Sequence, residues 1–264
     1  MKAVIIKSIL LSATLLAAHG LRAGDKDKPV ADKVESKVVD SGSFGIYLDG
    51  KRIGTETFKI EQRTDFSIAT ASVKVDDGKT RAEQTAEMRV NPNGDLRSYS
   101  WHGTVPQTEE SSVEPRNDIL VEHVSPADQK KVDVPHMLPL STVILDDNFF
   151  SQRELLLWRY LATGCVWKEG QGRLCAPTNF VILVPRQHAS LNATMDLVGL
   201  DKITVKGVER QLNKMSLRTG APTKVVELTD QKDTETGQWL LWVDDQLKVI
   251  KMTVAGTNIE IVRD

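Results

Sequence analysis

The chain has 264 residues, 40% hydrophobic and 27% charged, with 34 basic against 36 acidic side chains and a formal net charge of −2. That length suffices for one large β domain and does not require two. The balanced charge, with no basic run longer than a few residues, argues against a nucleic-acid partner.

Met1 to Ala23 reads as a secretory signal: Lys2 and Lys7 give a positive start, and Ser8 to Ala18 a short apolar run. The run ends at His19, Gly20 and Arg22. It is therefore too short to cross a bilayer, which needs roughly 20 apolar residues. Ala18, Gly20 and Ala23 offer two cleavage points between which the sequence does not choose. No cysteine lies near the junction, so the expectation is an exported protein, periplasmic or secreted, soluble after signal removal and without a transmembrane span in the mature chain. Residues 24–42, charged, poor in aromatics and broken by Pro29, read as a flexible solvated leader.

Ordered structure is expected from Ser43 to the end, residues 43–264, as a single antiparallel β half-barrel domain. Asp49-Gly50 lies between two β-forming runs, Phe44 to Leu48 and Lys51 to Gln62, and suits a type I′ turn. A meander follows over Phe66 to Val75, Thr80 to Val90 and Leu96 to Val105, separated by Asp76 to Lys79 and Asn91 to Asp95. From Arg81 to Val90 the alternation is clean: Ala82, Ala86, Met88 and Val90 form a dry face, and Arg81, Glu83, Glu87 and Arg89 a wet one. Tyr99, Trp101 and Val105 continue the dry face. Short apolar runs at Ile119 to Val124 and Val132 to Val134, interrupted by Pro126, Pro135 and Pro139, read as edge strands and loop.

One helix is expected at about 148–163. Asp146, Asp147 and Asn148 precede it, and Ser151 with Glu154 matches a capping box. Phe150, Leu155, Leu157, Trp158 and Leu161 form its apolar stripe and Gly164 its stop. A helix this apolar must be covered on most of its circumference, which places it in the concavity of a sheet. Further strands are expected at Asn179 to Val184, Leu191 to Val198, Lys202 to Val208, Gln211 to Leu217, Lys224 to Leu228, Trp239 to Val243, Leu247 to Val254 and Ile259 to Val262, with turns such as Asp230 to Gly237 between them. The two cysteines, Cys165 and Cys175, are read as a structural disulfide worth roughly 2 to 3 kcal/mol, in preference to a redox pair.

No nucleophile elbow, metal-binding helix or phosphate loop is present, so neither a catalytic residue nor a metal or other cofactor is expected. Asp133 with His136 is the nearest approach to an acid–histidine pair. An envelope hydrolase or metalloprotein would require His123, His136 and His188, or two of them with Asp133, to converge. The acidic pair Asp146-Asp147 is read as helix capping.

The hairpin Gly45 to Gly54 with Thr55 to Ile60, the mid-chain helix, and the closing Leu241 to Asp245 and Glu260 to Arg263 together resemble a group of bacterial envelope proteins of unassigned function. These are similar to the periplasmic lipoprotein-carrier superfamily, in which an incomplete antiparallel barrel wraps a helix and leaves an apolar cavity. The resemblance implies a non-catalytic protein that holds an acyl chain, a lipid or a lipidated client. The residues compatible with such a lining are Met88, Trp101, Phe150, Trp158, Leu161, Met195, Leu197, Met215 and Trp239. An alternative from another class is a structural or protein-interaction module of the cell envelope, with the same fold and a filled core.

Overall fold

The computed structural model describes residues 36–125, 130–146, 148–170, 172–220, 223–224 and 237–264, which belong to one compact unit. The expected signal, most of the leader, Asp147, residues 225–228 and the turn at 230–236 lie outside the described residues.

Eight strands run down the first half: β1 (Lys37–Leu48), β2 (Lys51–Gln62), β3 (Ser67–Asp76), β4 (Arg81–Val90), β5 (Leu96–Val105), β6 (Glu109–Arg116), β7 (Ile119–Ser125) and β8 (Val132–His136). Each pairs antiparallel with the next. The first turn is the expected one: Asp49 and Gly50 take φ values of 52° and 74°, which Asp and Gly accept at low cost. The second half comprises β9 (Val143–Ile144), α1 (Ser151–Thr163), the ribbon β10 (Cys165–Lys168) with β11 (Gly172–Cys175), then β12 (Thr178–Val184), β13 (Ala189–Val205), β14 (Val208–Thr219), β15 (Thr223–Lys224), β16 (Gln238–Val243), β17 (Val249–Val254) and β18 (Ile259–Arg263).

Pairing of β18 with β1, Ile46 opposite Ile261, joins the two halves into one sheet of sixteen strands among the described residues. Its order runs from β8 through β1 and β18 to β9, so the sheet rolls up without closing. Mainly β architecture, an open antiparallel sheet and a single helix agree with the expectation. Side chains span the seam where strand pairing is missing. His188, just after β12, bonds Glu122 of β7 at 3.1 Å. Tyr99 of β5 donates to Asp146 at 2.8 Å, and Arg186 reaches both Asp146 and Gln84 of β4.

Several boundaries differ from the sequence reading. β1 starts at Lys37 rather than Ser43, because β2 is long enough to pair with it as far as Gln62, and Asp40 has ionic partners inside. β6 was not expected: its sequence, EESSVEPR, hides an inward alternation of Ser111 and Val113 among charges. β7 is flanked on both sides, so of these two strands only β8 is an edge, and there Pro135 is tolerated. Leu191 to Val198 and Lys202 to Val208 fall mostly within one strand, β13, whose register shifts between Leu197 and Gly199.

The helix begins at Ser151 with Phe150 as its cap residue, and no side chain forms the expected capping box. Ser151 and Glu154 have stronger partners elsewhere. At the other end Gly164 stops the helix, and it does so by close packing: a Cβ there would stand 2.2 Å from the Thr178 hydroxyl. Leu156, Leu157 and Tyr160 are fully buried, each Leu worth about 1.5–3 kcal/mol. Leu155, Trp158 and Leu161 are only half-buried, so the buried stripe is rotated relative to the expected one. Strands of both halves and α1 share one hydrophobic core, so the helix lies in the concavity as expected.

Candidate functional site

The buried residues of α1 include its whole first turn, Ser151, Gln152, Arg153 and Glu154. Polar groups can be buried at this density only if each finds a partner. Glu56, fully buried on β2, supplies the helix start: its carboxylate accepts the Phe150 amide at 2.7 Å, the Ser151 amide at 3.2 Å and the Ser151 hydroxyl at 2.5 Å. Burial outweighs these hydrogen bonds and pushes the Glu56 carboxyl up to about 7.

Glu154 leads to a second group. Its carboxyl accepts the Val249 amide at 3.0 Å and the Arg263 guanidinium at 2.9 Å, while Arg263 also bonds Asp40, and Lys248 bonds Asp40 at 3.0 Å. Burial and the neighbouring Asp40 raise the Glu154 carboxyl. Burial acts in the same direction on Asp40, but hydrogen bonds with Arg263, Glu154 and Lys248 prevail and hold it well below the usual carboxylate range. The helix is thus bolted to β1, β2, β17 and β18 by charge as well as by packing.

Fixed in this way, α1 leaves two hollows. One, of about 510 Å³, lies beside its N-terminal end and is walled by Ile46, Val73, Ile182, Leu217, Phe150 and Trp239, with Asn148, Arg153 and Gln187 along one side. This size and a mostly apolar wall with a few polar groups fit a small-molecule site. The other, of about 330 Å³, lies along the C-terminal half of α1 between Leu155, Trp158, Arg159, Met88, Leu96 and Ile144. A third hollow is an open polar groove of about 900 Å³ across strands β2 to β8, lined by Ser and Thr hydroxyls with His102, His123 and Asp133.

Of the nine residues expected to line a cavity, Phe150 and Trp239 border the larger apolar hollow, and Met88 and Trp158 the smaller. Trp101 borders the polar groove and sits under the Arg186 guanidinium. Met195 and Met215 are fully packed core, and Leu161 and Leu197 are half-buried beside it, bordering neither cavity. Sequence reading missed Arg153. A helix period of 3.6 puts it on the same face as Phe150 and Leu157, which was the available signal.

The histidines divide. His136 and His188 do converge, though on Glu122, at 2.9 and 3.1 Å, with the Ser111 hydroxyl donating to the same carboxylate. Burial raises the Glu122 carboxyl, and the bonds from His136 and His188 more than reverse this, leaving it lowered. His123 instead pairs with Asp133 at 2.7 Å in the open groove, and this contact raises its pKa. Asp133 and His136, adjacent in the sequence reading, therefore point to different partners. Among the described residues no group of three or more His, Cys, Asp or Glu is placed to hold a metal ion. Asp146 does not cap the helix: it is buried against Tyr99, and its own amide donates to Gln152 at 2.6 Å. Cys165 and Cys175 form the expected disulfide, across the β10–β11 ribbon. No helix among the described residues is long and apolar enough to cross a membrane.

No protein-family model matches the chain, and no curated protein matches it. Among solved structures it is similar to a β-barrel-like protein of domain of unknown function DUF1849 from Brucella abortus, at 9% identity and a TM-score of 0.49, over 85% of this chain and 94% of that one.

Proposed function

We propose that this protein is an exported, non-catalytic binder of a hydrophobic ligand, an acyl chain, a lipid or a lipidated client, in the manner of the periplasmic lipoprotein carriers. The observation that carries this reading is the apolar hollow of about 510 Å³ beside the anchored end of α1. A hollow of that size, walled by Ile, Val, Leu and Trp side chains, presents apolar surface whose removal from water favours an apolar occupant. The Cys165–Cys175 disulfide supports an oxidising compartment, and hence export. Extraction of the purified protein with organic solvent, followed by mass spectrometry, is expected to release a stoichiometric amphiphile or lipid; an empty protein from every source tried would oppose the reading.

A second reading, an interaction module of the envelope, is favoured by one feature. The disulfide-stapled ribbon exposes Val166, Trp167 and Leu174, with Trp167 at 74%, and exposed aromatic side chains of this kind are common anchors of protein interfaces. Replacing all three by Ser is expected to abolish chemical crosslinks to a partner in envelope fractions while ligand release is retained; an unchanged crosslinking pattern removes this reading.

A further inference from the structure

We infer that the larger hollow is loaded through the open seam of the sheet, and that the turn between β12 and β13, Pro185 to His188, is the latch that closes it. The inference rests on the cavity reading above and adds how a ligand gains entry. Most of the hollow is walled by β1, β2 and β3 and by β12, β13, β14, β16, β17 and β18, each joined to its neighbours by main-chain ladders. Parting any of these strands breaks a row of hydrogen bonds at once. The wall made by Leu145, Asn148, Val184 and Gln187 differs, because among the described residues no strand pairing joins β9 or β12 to the first-half strands across the seam.

The turn has one side on the hollow and the other on the seam. Val184 and Gln187 border the hollow, while Arg186 and His188 reach across. Arg186 stands 3.7 Å from Asp146 and donates to Gln84 at 3.5 Å, with its guanidinium over the Trp101 ring at 5.1 Å. His188, held at a φ of 49°, pairs with Glu122 at 3.1 Å. Lifting the turn carries the Arg186 and His188 side chains into water, and each group that they leave behind keeps another partner. Gln84 still accepts the Asn148 amide at 3.0 Å, Asp146 still accepts the Tyr99 hydroxyl at 2.8 Å, and Glu122 keeps both His136 at 2.9 Å and the Ser111 hydroxyl at 3.0 Å. A buried polar group is expensive only when it is left unpaired, so this closure can open where the bolted end of α1 cannot. The same movement withdraws Val184 and Gln187 from the wall and exposes the apolar space behind them.

Stopped-flow mixing of the full protein with the uncharged probe N-phenyl-1-naphthylamine tests the latch. The observed association rate of the wild-type protein is expected to level off at high probe concentration, at the rate of opening. Arg186→Gln, and His188→Asn with a residue that accepts a left-handed φ, are each expected to raise that plateau about ten-fold, the factor a charge-assisted hydrogen bond supplies. Release is expected to quicken by the same factor and Kd to stay unchanged, because one latch closes over the empty and the filled hollow alike. A residue that only shapes the wall would change Kd and leave the plateau where it was, and that result would overturn the inference. So would a wild-type rate that keeps rising linearly with probe concentration, which means that the hollow stands open at its other rim, past Leu48 and Thr257; the cavity reading then survives. If the probe does not bind at all, the cavity reading falls and the latch with it. Because the wild-type concentration dependence is decisive alone, a variant that does not fold leaves the test intact.

Discussion

The two ends of α1 are held by different chemistry. At the N-terminal end every residue of the first turn is buried, and Glu56, Glu154, Asp40, Arg263 and Lys248 hold it through charged hydrogen bonds to four strands. At the C-terminal end the contacts are lighter. The Trp158 indole donates to the Leu247 carbonyl at 2.8 Å, Arg159 reaches the Gly94 carbonyl at 2.9 Å, and Leu155, Trp158 and Leu161 stay half-buried. Apolar packing tolerates small rotations of a helix, whereas buried charges are satisfied in one arrangement and are expensive in any other. The polar end therefore fixes where α1 lies, and the larger hollow persists beside it because the helix cannot shift to fill it.

If this contrast is right, substitutions at the two ends should differ several-fold in cost. Arg263→Ala removes the partner of both Asp40 and Glu154 and the cation over Phe44 and Phe58, and is expected to cost about 3–5 kcal/mol in urea unfolding. Trp158→Phe at the other end, which loses a single hydrogen bond and little volume, is expected to cost about 1 kcal/mol. Equal costs would remove the distinction between the ends.

A pH dependence sharpens it, lying between these two in size. The Glu56 carboxyl titrates at about 7 in the folded chain against an ordinary 4.5, so the folded state binds its proton more tightly than the unfolded state does. The stability it contributes is fully present below the unfolded value and is lost as pH rises through the folded one. Glu154, also raised, acts in the same direction, and the lowered Asp40 matters only at acid pH. The urea midpoint of the wild-type protein is thus expected to fall between about pH 5 and about pH 8. Glu56→Gln, which cannot ionise, is expected to show a shallower fall, and an identical slope in both would contradict the buried-carboxylate account.

Much of this fold was legible because strand alternation is local. The hairpin at Asp49-Gly50, the dry face with Ala86 and Met88, and the strands from Leu96 to Val105 follow from it directly. The same alternation also carried an unread signal: Glu56 is in phase with Phe58 and Ile60, Gln84 with Ala86 and Met88, Glu122 with Leu120, and Asp40 with Phe44 and Ile46. A polar residue in the dry phase of a strand is a buried polar residue, and each of these proved to be one. Their partners were not legible. Asp40 meets Arg263, and Glu56 meets Ser151, across sequence separations that pattern alone does not link. For the same reason the methionines divide: Met88 borders a hollow while Met195 and Met215 are core, a difference set by where the helix lies and not by the strand bearing them.

The central claim, that the space beside the anchored helix end is a binding site, is tested most directly by filling it. Leu217→Trp places a larger ring into the wall of the 510 Å³ hollow, on the strand opposite Trp239. Titration of the uncharged probe N-phenyl-1-naphthylamine into wild-type and variant proteins is expected to show saturable binding that the folded variant loses by at least about ten-fold. Undiminished binding in a folded variant would contradict the account.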